Sequence, residues 1–263
     1  MNQDAFIEAK LDSDTYLFAV ADGHGYFGRE VSSFVKAAFP KILGSLDIQN
    51  EPKTAILRTV STVAGELMNA PFDINFSGTT FTSTLLTKSG HVLCANIGDS
   101  RVLLARELEE AHWMSMALSR DHKPCEEDEK ERILNCGGRV EAYQDEEGNP
   151  MGPSRVWLLN EDIPGLAMSR SIGDLVAVSA GVTCEPEMIE QDLTPKDKFM
   201  VLGSDGIFEF LTNEEVVKIV VPFWKEWNVQ GACDQLAREA HKKWITEEEV
   251  IDDITCVIVF LNR

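Results

Sequence analysis

Three aspartates stand at the edges of three apolar runs that lie far apart in the chain. Asp22 follows residues 16–21 and opens the tetrapeptide Asp22-Gly23-His24-Gly25, Asp205 follows residues 199–202 and precedes Gly206, and Asp252-Asp253 leads into residues 254–261. Short apolar runs bounded by Asp and Gly read as buried strands, and side chains at strand ends are held rigidly enough to converge. Carboxylates gathered in one place repel one another unless cations sit among them. The pattern predicts a hard-metal site with a histidine beside it, a combination suited to hydrolysis by a metal-activated water.

Those strand ends need a scaffold. After the first strand, Val31, Phe34, Val35 and Ala38 recur at helical spacing, with Pro40 near the end of that helix. A second helix starts near Pro52, a residue suited to a first turn, and carries Ile56, Val60, Val63 and Leu67 on one face. A threonine-rich strand covers 79–87, Ser89-Gly90 is a turn, and strands 91–96 and 101–106 join through Gly98-Asp99 as a tight hairpin. Residues 107–118 read as an irregular insertion, 126–134 as a charged helix ended before Gly137-Gly138, 141–155 as an acidic loop and 156–159 as a strand. Residues 171–185 carry few helix signals and read as a mobile excursion. Thr212-Asn213-Glu214-Glu215 is a capping-box signature for a helix through 221, and a further helix carries Leu236, Ala237, Ala240 and Trp244. Strands cluster and helices cluster without strict alternation, so the expected class is α+β, with antiparallel sheets covered by helices.

Composition narrows the function classes. The 263 residues hold 24 basic and 44 acidic side chains, a net charge of −20. Most of that excess is expected on a solvated surface, and an acidic chain is a poor nucleic-acid binder. Six cysteines (Cys94, Cys125, Cys136, Cys184, Cys233, Cys256) are scattered without a C-x-x-C pair, several within apolar runs. They read as reduced thiols in a cytoplasmic or nuclear compartment. No run approaches the ~18–20 apolar residues of a membrane span, and no signal peptide is visible. No low-complexity linker divides the chain, so 1–263 is expected to be one domain; a monomer is expected as well.

Several strings, in order, carry a resemblance. They are Asn2-Gln3-Asp4-Ala5, Val20-Ala21-Asp22-Gly23-His24-Gly25, Ser77-Gly78-Thr79-Thr80, Ala95-Asn96-Ile97-Gly98-Asp99-Ser100-Arg101 and Ser119-Arg120-Asp121-His122-Lys123-Pro124. Glu131-Arg132-Ile133 with Gly137-Gly138, then Leu166-Ala167-Met168-Ser169-Arg170-Ser171-Ile172-Gly173-Asp174, Ser204-Asp205-Gly206 and Asp252-Asp253-Ile254-Thr255 complete the series. Any one string is weak, since Asp-Gly is common; nine in order over nearly the whole chain resemble the metal-dependent protein phosphatases of the type-2C (PPM) family. The Asn2-Gln3-Asp4 opening and Gly206-Ile207-Phe208-Glu209-Phe210-Leu211 look like its plant and protist branches.

The resemblance implies an α-β-β-α four-layer sandwich and hydrolysis of phosphoserine and phosphothreonine in proteins by a metal-bridging water, without a phosphoenzyme. It implies two Mn²⁺ or Mg²⁺ ions, with a weaker third. Asp22 matches the carboxylate shared by both metals, Gly23 a backbone-carbonyl ligand, Asp205 and Asp252 the remaining direct ligands, and Asp99 a ligand of the third ion. Aligning Asp252-Asp253 on the family pattern leaves Asp253 as a turn or supporting residue. Asp4, with Gln3 beside it, matches a water-mediated contact, and Gln3 stands where many relatives carry glutamate. His24 is the candidate general acid, because a serine or threonine alkoxide leaves poorly unless protonated, and nearby carboxylates favour its charged form. His122 reads as structural. The resemblance implies a phosphate-binding arginine on a strand before the Asn-Gln-Asp segment; the catalytic domain is expected to lack that first strand here, with Arg29 as a substitute. Residues 171–185 match the family's flap. Two rivals stand beside this reading: a catalytically weak or inactive phosphatase-like binding scaffold, and a metal hydrolase of small phosphate esters.

Overall fold

The computed structural model describes residues 2–109, 112–248 and 250–261. Its first half runs β1 (Ala5–Lys10), β2 (Thr15–Ala21), β3 (Gly23–His24), α1 (Gly28–Leu43), α2 (Pro52–Leu67), β4 (Gly78–Thr79), β5 (Phe81–Thr87), β6 (His91–Ile97), β7 (Arg101–Glu109) and β8 (His112–Ala117). The second half runs α3 (Glu127–Asn135), β9 (Gly138–Gln144), β10 (Pro150–Leu158), β11 (Pro164–Leu166), β12 (Ile172–Gly173), α4 (Leu175–Ser179), β13 (Glu187–Asp192), β14 (Asp197–Gly203), α5 (Asp205–Phe208), α6 (Asn213–Glu226), α7 (Val229–Glu247) and β15 (Cys256–Phe260).

Two antiparallel sheets form the middle of the molecule, one ordered β1-β2-β5-β6-β13 and the other β15-β14-β7-β8. Three apolar layers explain why they stack. Val31, Val35 and Phe39 of α1 and Ile56, Val60 and Val63 of α2 pack onto Leu17, Ala19, Phe81 and Leu93 of the first sheet. Val20, Val92 and Cys94 meet Val102, Leu104, Met200 and Leu202 between the sheets. Val216, Val220 and Trp224 of α6 with Leu236 and Ala240 of α7 cover Leu103, Phe199 and Val201 on the far face. The fold is therefore α+β, helices outside two facing sheets, as the sequence led us to expect. Strand alternation is what makes this possible: Ala19 faces one layer and Val20 the next. Each fully buried side chain of this size is worth about 1.5–3 kcal/mol, and Phe39 adds a tilted ring contact with Phe81 at 4.3 Å between centroids.

Three segments differ from expectation. Residues 107–118 are not an irregular insertion; β7 continues to Glu109 and β8 pairs back on it, Leu103 opposite Ala117 and Glu107 opposite Trp113. The acidic run 107–110 hid this strand, which Trp113 anchors through its rings against Phe199 and Trp224; Glu110 and Ala111 lie outside the described residues. Residues 141–155 are not a loop but most of the β9–β10 hairpin, with Tyr143 opposite Met151 and Arg139 opposite Trp157. Asp145 closes its tip by accepting from the backbone of Glu147 and Asn149, and only Gly138, Val156 and Trp157 of the two strands are buried, so no apolar alternation marked them. Residues 171–185 are not an excursion: they hold β12 and α4, and Ile172, Ala177, Ala180 and Val182 are buried. The strands β1 and β13, which edge the first sheet, carried no reading from sequence.

Candidate functional site

The strand ends deliver Asp22 after β2, Asp99 in the β6–β7 turn, Asp205 after β14 and Asp252 before β15 to one side of the sandwich. Asp22 is fixed by its backbone: its N–H donates to Thr80 Oγ1 at 3.0 Å, and the Thr80 N–H donates to the Asp22 carbonyl at 2.9 Å. Thr80 Oγ1 in turn meets Ser100 Oγ at 2.7 Å, tying the β4–β5 segment to the base of the β6–β7 turn. Gly23 lies so close to α1 that a Cβ there would collide with the Gly28 and Gln3 carbonyl oxygens, which is why glycine follows Asp22.

The carboxylates interact. Burial first, then the charges of Asp205, Asp4 and Asp99, hold the Asp22 carboxyl well above the usual range, and it shares a hydrogen bond with Asp205. Burial, followed by the charges of Asp99 and Asp252, pushes Asp205 up to about 7. Burial does the same for Asp4, to about 6, although the Asp22, Ser204 and Thr255 side chains surround it and work the other way. Neither oxygen of Asp4 has a formed hydrogen bond, and Asp205 Oδ1 and Asp99 Oδ1 are likewise buried without a partner. Asp252 stands at the exposed rim, where it lines a cavity of about 430 Å³ together with Asp99, Asp205, Lys123 and Arg155.

Among the described residues, no three His, Cys, Asp or Glu side chains are already closed into an ion cage. The donor chemistry nonetheless fits a hard divalent cation. The unsatisfied atoms are carboxylate oxygens, the ligands that Mg²⁺ and Mn²⁺ favour, and buried carboxylates are costly until a cation or proton neutralises them.

His24 is held from the opposite side. Its Nε2 lies 2.6 Å from Asp174 Oδ2, which also accepts from Ser171 Oγ at 2.6 Å, while its Nδ1 is buried without a partner. Burial works to lower the imidazole; the charge and hydrogen bond of Asp174, then Asp99 and Asp205, outweigh it and raise it above the ordinary histidine value. Asp174 sits in the left-handed region at φ 47°, and a Cβ on Gly78 would strike its Oδ2. Gly78 thus lets β4 pass beneath the His24–Asp174 contact. Sequence reasoning missed Asp174, although it ends the Ser169-Arg170-Ser171-Ile172-Gly173-Asp174 string.

Other sequence candidates take bracing positions. Gln3 Nε2 donates to the Gly25 carbonyl at 2.8 Å and its backbone N–H to Asp253 Oδ2 at 2.6 Å, so Gln3 joins the first segment to the last loop. The Asp253 carboxylate thereby holds the Gln3 backbone. His122 is wholly buried, and its Nδ1 accepts from the Gly98 N–H at 3.1 Å, so it shapes the turn that carries Asp99. Arg29 lies exposed in the first turn of α1. Arg155 was missed, because its neighbourhood read as loop; its guanidinium donates to the Gly165 carbonyl, stacks over Tyr143, and keeps a buried Nε without a partner.

A buried Glu129 holds the far wall. It accepts from both Arg132 and Arg170, and from Ser169 Oγ. Burial would raise this carboxyl, but those hydrogen bonds hold it well below the usual range. The cluster fixes 169–171 and hence the approach to Asp174.

Comparison with known proteins identifies the relatives of the chain and its fold. The family model described as protein phosphatase 2C matches residues 2–248. The chain is 34 % identical over 280 residues to a probable protein phosphatase 2C 35 of Arabidopsis thaliana, spanning all of this chain and 79 % of that one. It is equally 34 % identical over 265 residues to a probable protein phosphatase 2C 72 of the same plant, covering 95 % and 78 %. Among solved structures it resembles a serine-threonine phosphatase 2C from Toxoplasma gondii, with a TM-score of 0.84 at 20 % identity, over 99 % of this chain and 90 % of that one.

Proposed function

The chain belongs to the protein phosphatase 2C family, and from that premise we propose that it is a single catalytic domain hydrolysing phosphoserine and phosphothreonine in phosphoproteins. Asp22, the Gly23 carbonyl, Asp205 and Asp252 would hold two divalent cations, Mn²⁺ or Mg²⁺, with Asp4 in support and Asp99 beside a weaker third position. When bound, such cations supply an activated water for attack on phosphorus and offset the repulsion between a phosphate dianion and the carboxylates.

The remaining chemistry falls to the chain. His24 carries the proton to the departing serine or threonine oxygen through Nδ1, the ring atom left without a partner, while Asp174 fixes the ring through Nε2 and keeps it charged near neutral pH. Arg155 lines the same cavity as Asp99, Asp205 and Asp252, and its guanidinium is suited to a phosphate oxygen. The β9–β10 hairpin, rather than 171–185, takes the part of a substrate-facing flap, since Pro153 and Ser154 also border that cavity. No phosphoenzyme is required.

The single observation that carries this reading is the set of buried, partnerless carboxylate oxygens around Asp22 and Asp205 beside a histidine with one free ring nitrogen. The test is hydrolysis of a phosphothreonine peptide with Mn²⁺, stopped by excess chelator. His24→Ala should cost the peptide about 10²-fold or more while costing an aryl phosphate, whose leaving group needs little protonation, far less. Turnover indifferent to chelator would sink the metal assignment, and equal losses on both substrates would sink the role of His24. A folded wild-type protein inert on phosphopeptides with Mn²⁺ would favour the scaffold reading, for which the bracing role of Gln3 speaks.

A further inference from the structure

A groove between the last strand and the last helix holds two thiols that phosphate hydrolysis does not use. Cys233 lies in the second turn of α7 and Cys256 opens β15. They lie on elements that pack directly together. Both are partly buried at the margin of the α6–α7 core layer. Both also line a cavity of about 680 Å³, bordered by Phe6, Phe18, Trp227 and Phe260, so a small solute can reach them. The other four thiols lie elsewhere in the fold, on β6, in the loop before α3, at the end of α3 and before β13.

We propose that Cys233 and Cys256 form a reversible disulfide, driven by hydrogen peroxide, that staples α7 to β15. The division of labour follows from their contact. The neighbouring Cys256 side chain, despite burial and the nearby Asp234, draws the Cys233 thiol below its ordinary value, with help from the Ile258 backbone. The same contact, then burial, pushes the Cys256 thiol up. Cys233 is therefore the attacking thiolate and Cys256 the resolving thiol. The Cys233 thiolate attacks one oxygen of peroxide; the O–O bond breaks, leaving a sulfenic acid and hydroxide. The Cys256 sulfur then attacks the sulfenic sulfur; the S–S bond forms, the S–O bond breaks, and the departing oxygen leaves as water with the Cys256 proton. Two thiols are oxidised and one peroxide is reduced to two waters, counting the hydroxide with the proton Cys233 had released.

The staple would act close to the carboxylates. Thr255, next to Cys256, accepts the Ser204 N–H at 3.1 Å immediately before Asp205, and Trp244 of α7 donates to the Gly206 carbonyl at 2.8 Å. The test reads mass rather than turnover, so it stands apart from the phosphatase assignment. The full chain in chelator is titrated with hydrogen peroxide, quenched with iodoacetamide and digested with trypsin. The peptide joining Cys233 to Cys256 should exceed every other disulfide-linked pair by at least about fivefold, vanish with dithiothreitol, and fall to the level of other pairs when the chain is first unfolded in urea. In Cys256→Ser, a dimedone adduct should appear at Cys233. If peroxide doses that oxidise Cys125 or Cys136 leave the Cys233–Cys256 peptide no more abundant than other pairs in wild type, the proposal is wrong, whatever the variant does.

Discussion

Replacing Asp205 with asparagine should stabilise the metal-free protein while destroying its metal-dependent activity. Asp205 is pushed from 3.8 to about 7, chiefly by burial and then by Asp99 and Asp252. A carboxyl whose folded value is raised binds more protons in the folded than in the unfolded state between those two values. Stability therefore falls as pH climbs through that window, and the penalty is complete above the folded value. The full linkage is about 4 kcal/mol, at 1.36 kcal/mol per unit. Asp22 shares a hydrogen bond with Asp205 and relaxes with it, so about half of that, ~2 kcal/mol, is expected to be recovered by an uncharged isostere. At pH 8 in chelator, Asp205→Asn should then melt about 4–8 °C above wild type. The gap should close as pH falls toward 4.5, where the wild-type carboxyl is already protonated. Added Mn²⁺ should reverse the order, because a ligand that binds only the folded state stabilises it. Calorimetry across pH, with and without Mn²⁺, reads all three. A variant that melts at or below wild type at pH 8 in chelator would refute the claim that these carboxylates are held together against their own repulsion.

Two further perturbations probe the walls of the site. Glu129→Ala leaves Arg132 and Arg170 without their shared carboxylate and should cost about 3–5 kcal/mol in urea unfolding; a loss under about 1 kcal/mol would show that the cluster is solvent-relaxed. Because Glu129 is held low, its contribution in wild type is present above the ordinary glutamate range and is lost as pH falls through the folded value, so the variant should lack that acid limb. Asp174→Asn removes the charge that keeps His24 protonated, so the alkaline limb of kcat/KM on a phosphopeptide should move to lower pH; a limb that stays in place would mean that Asp174 does not tune the proton donor.

Sequence made the buried architecture readable and the exposed architecture obscure, for one physical reason. Residues 16–21 and 91–96 sit between packed layers and are largely apolar for that reason, the buried strand 79–87 is rich in β-branched threonine, and Thr212 with Glu215 forms the capping box that their types announce, each side chain bonded to the other's backbone N–H. The hairpin of β9 and β10 faces water on much of both sides, so its pairing rests on backbone hydrogen bonds and a few rings, such as Trp157 donating to the Glu141 carbonyl, which leave no period in the sequence. The same contrast holds in the site. Asp22, Asp205 and Asp252 were legible because strand ends mark them. Asp174 was not, because its role depends on a left-handed backbone and on Gly78 leaving room across the chain. Arg155 was hidden with its hairpin.

The four strand-end carboxylates are not equivalent, and the difference bears on how many cations the site can take. Lys123 sets its Nζ 2.6 Å from Asp99 Oδ2, and that carboxylate holds the lysine above its ordinary range even though burial acts to lower it. Asp99 thus already has a counter-ion of the chain's own making, and only its Oδ1 is left unpartnered. Burial and mutual repulsion raise Asp22 and Asp205 instead, and Asp4 to about 6. On the proposed assignment, a divalent ion among those carboxylates would displace protons from raised carboxyls, which would cost little near neutral pH. One entering at Asp99 must share its second ligand with an ammonium that cannot be deprotonated there. On the proposed assignment an ion would be held more strongly by Asp22 and Asp205 than by Asp99, whose outer oxygen Lys123 already neutralises.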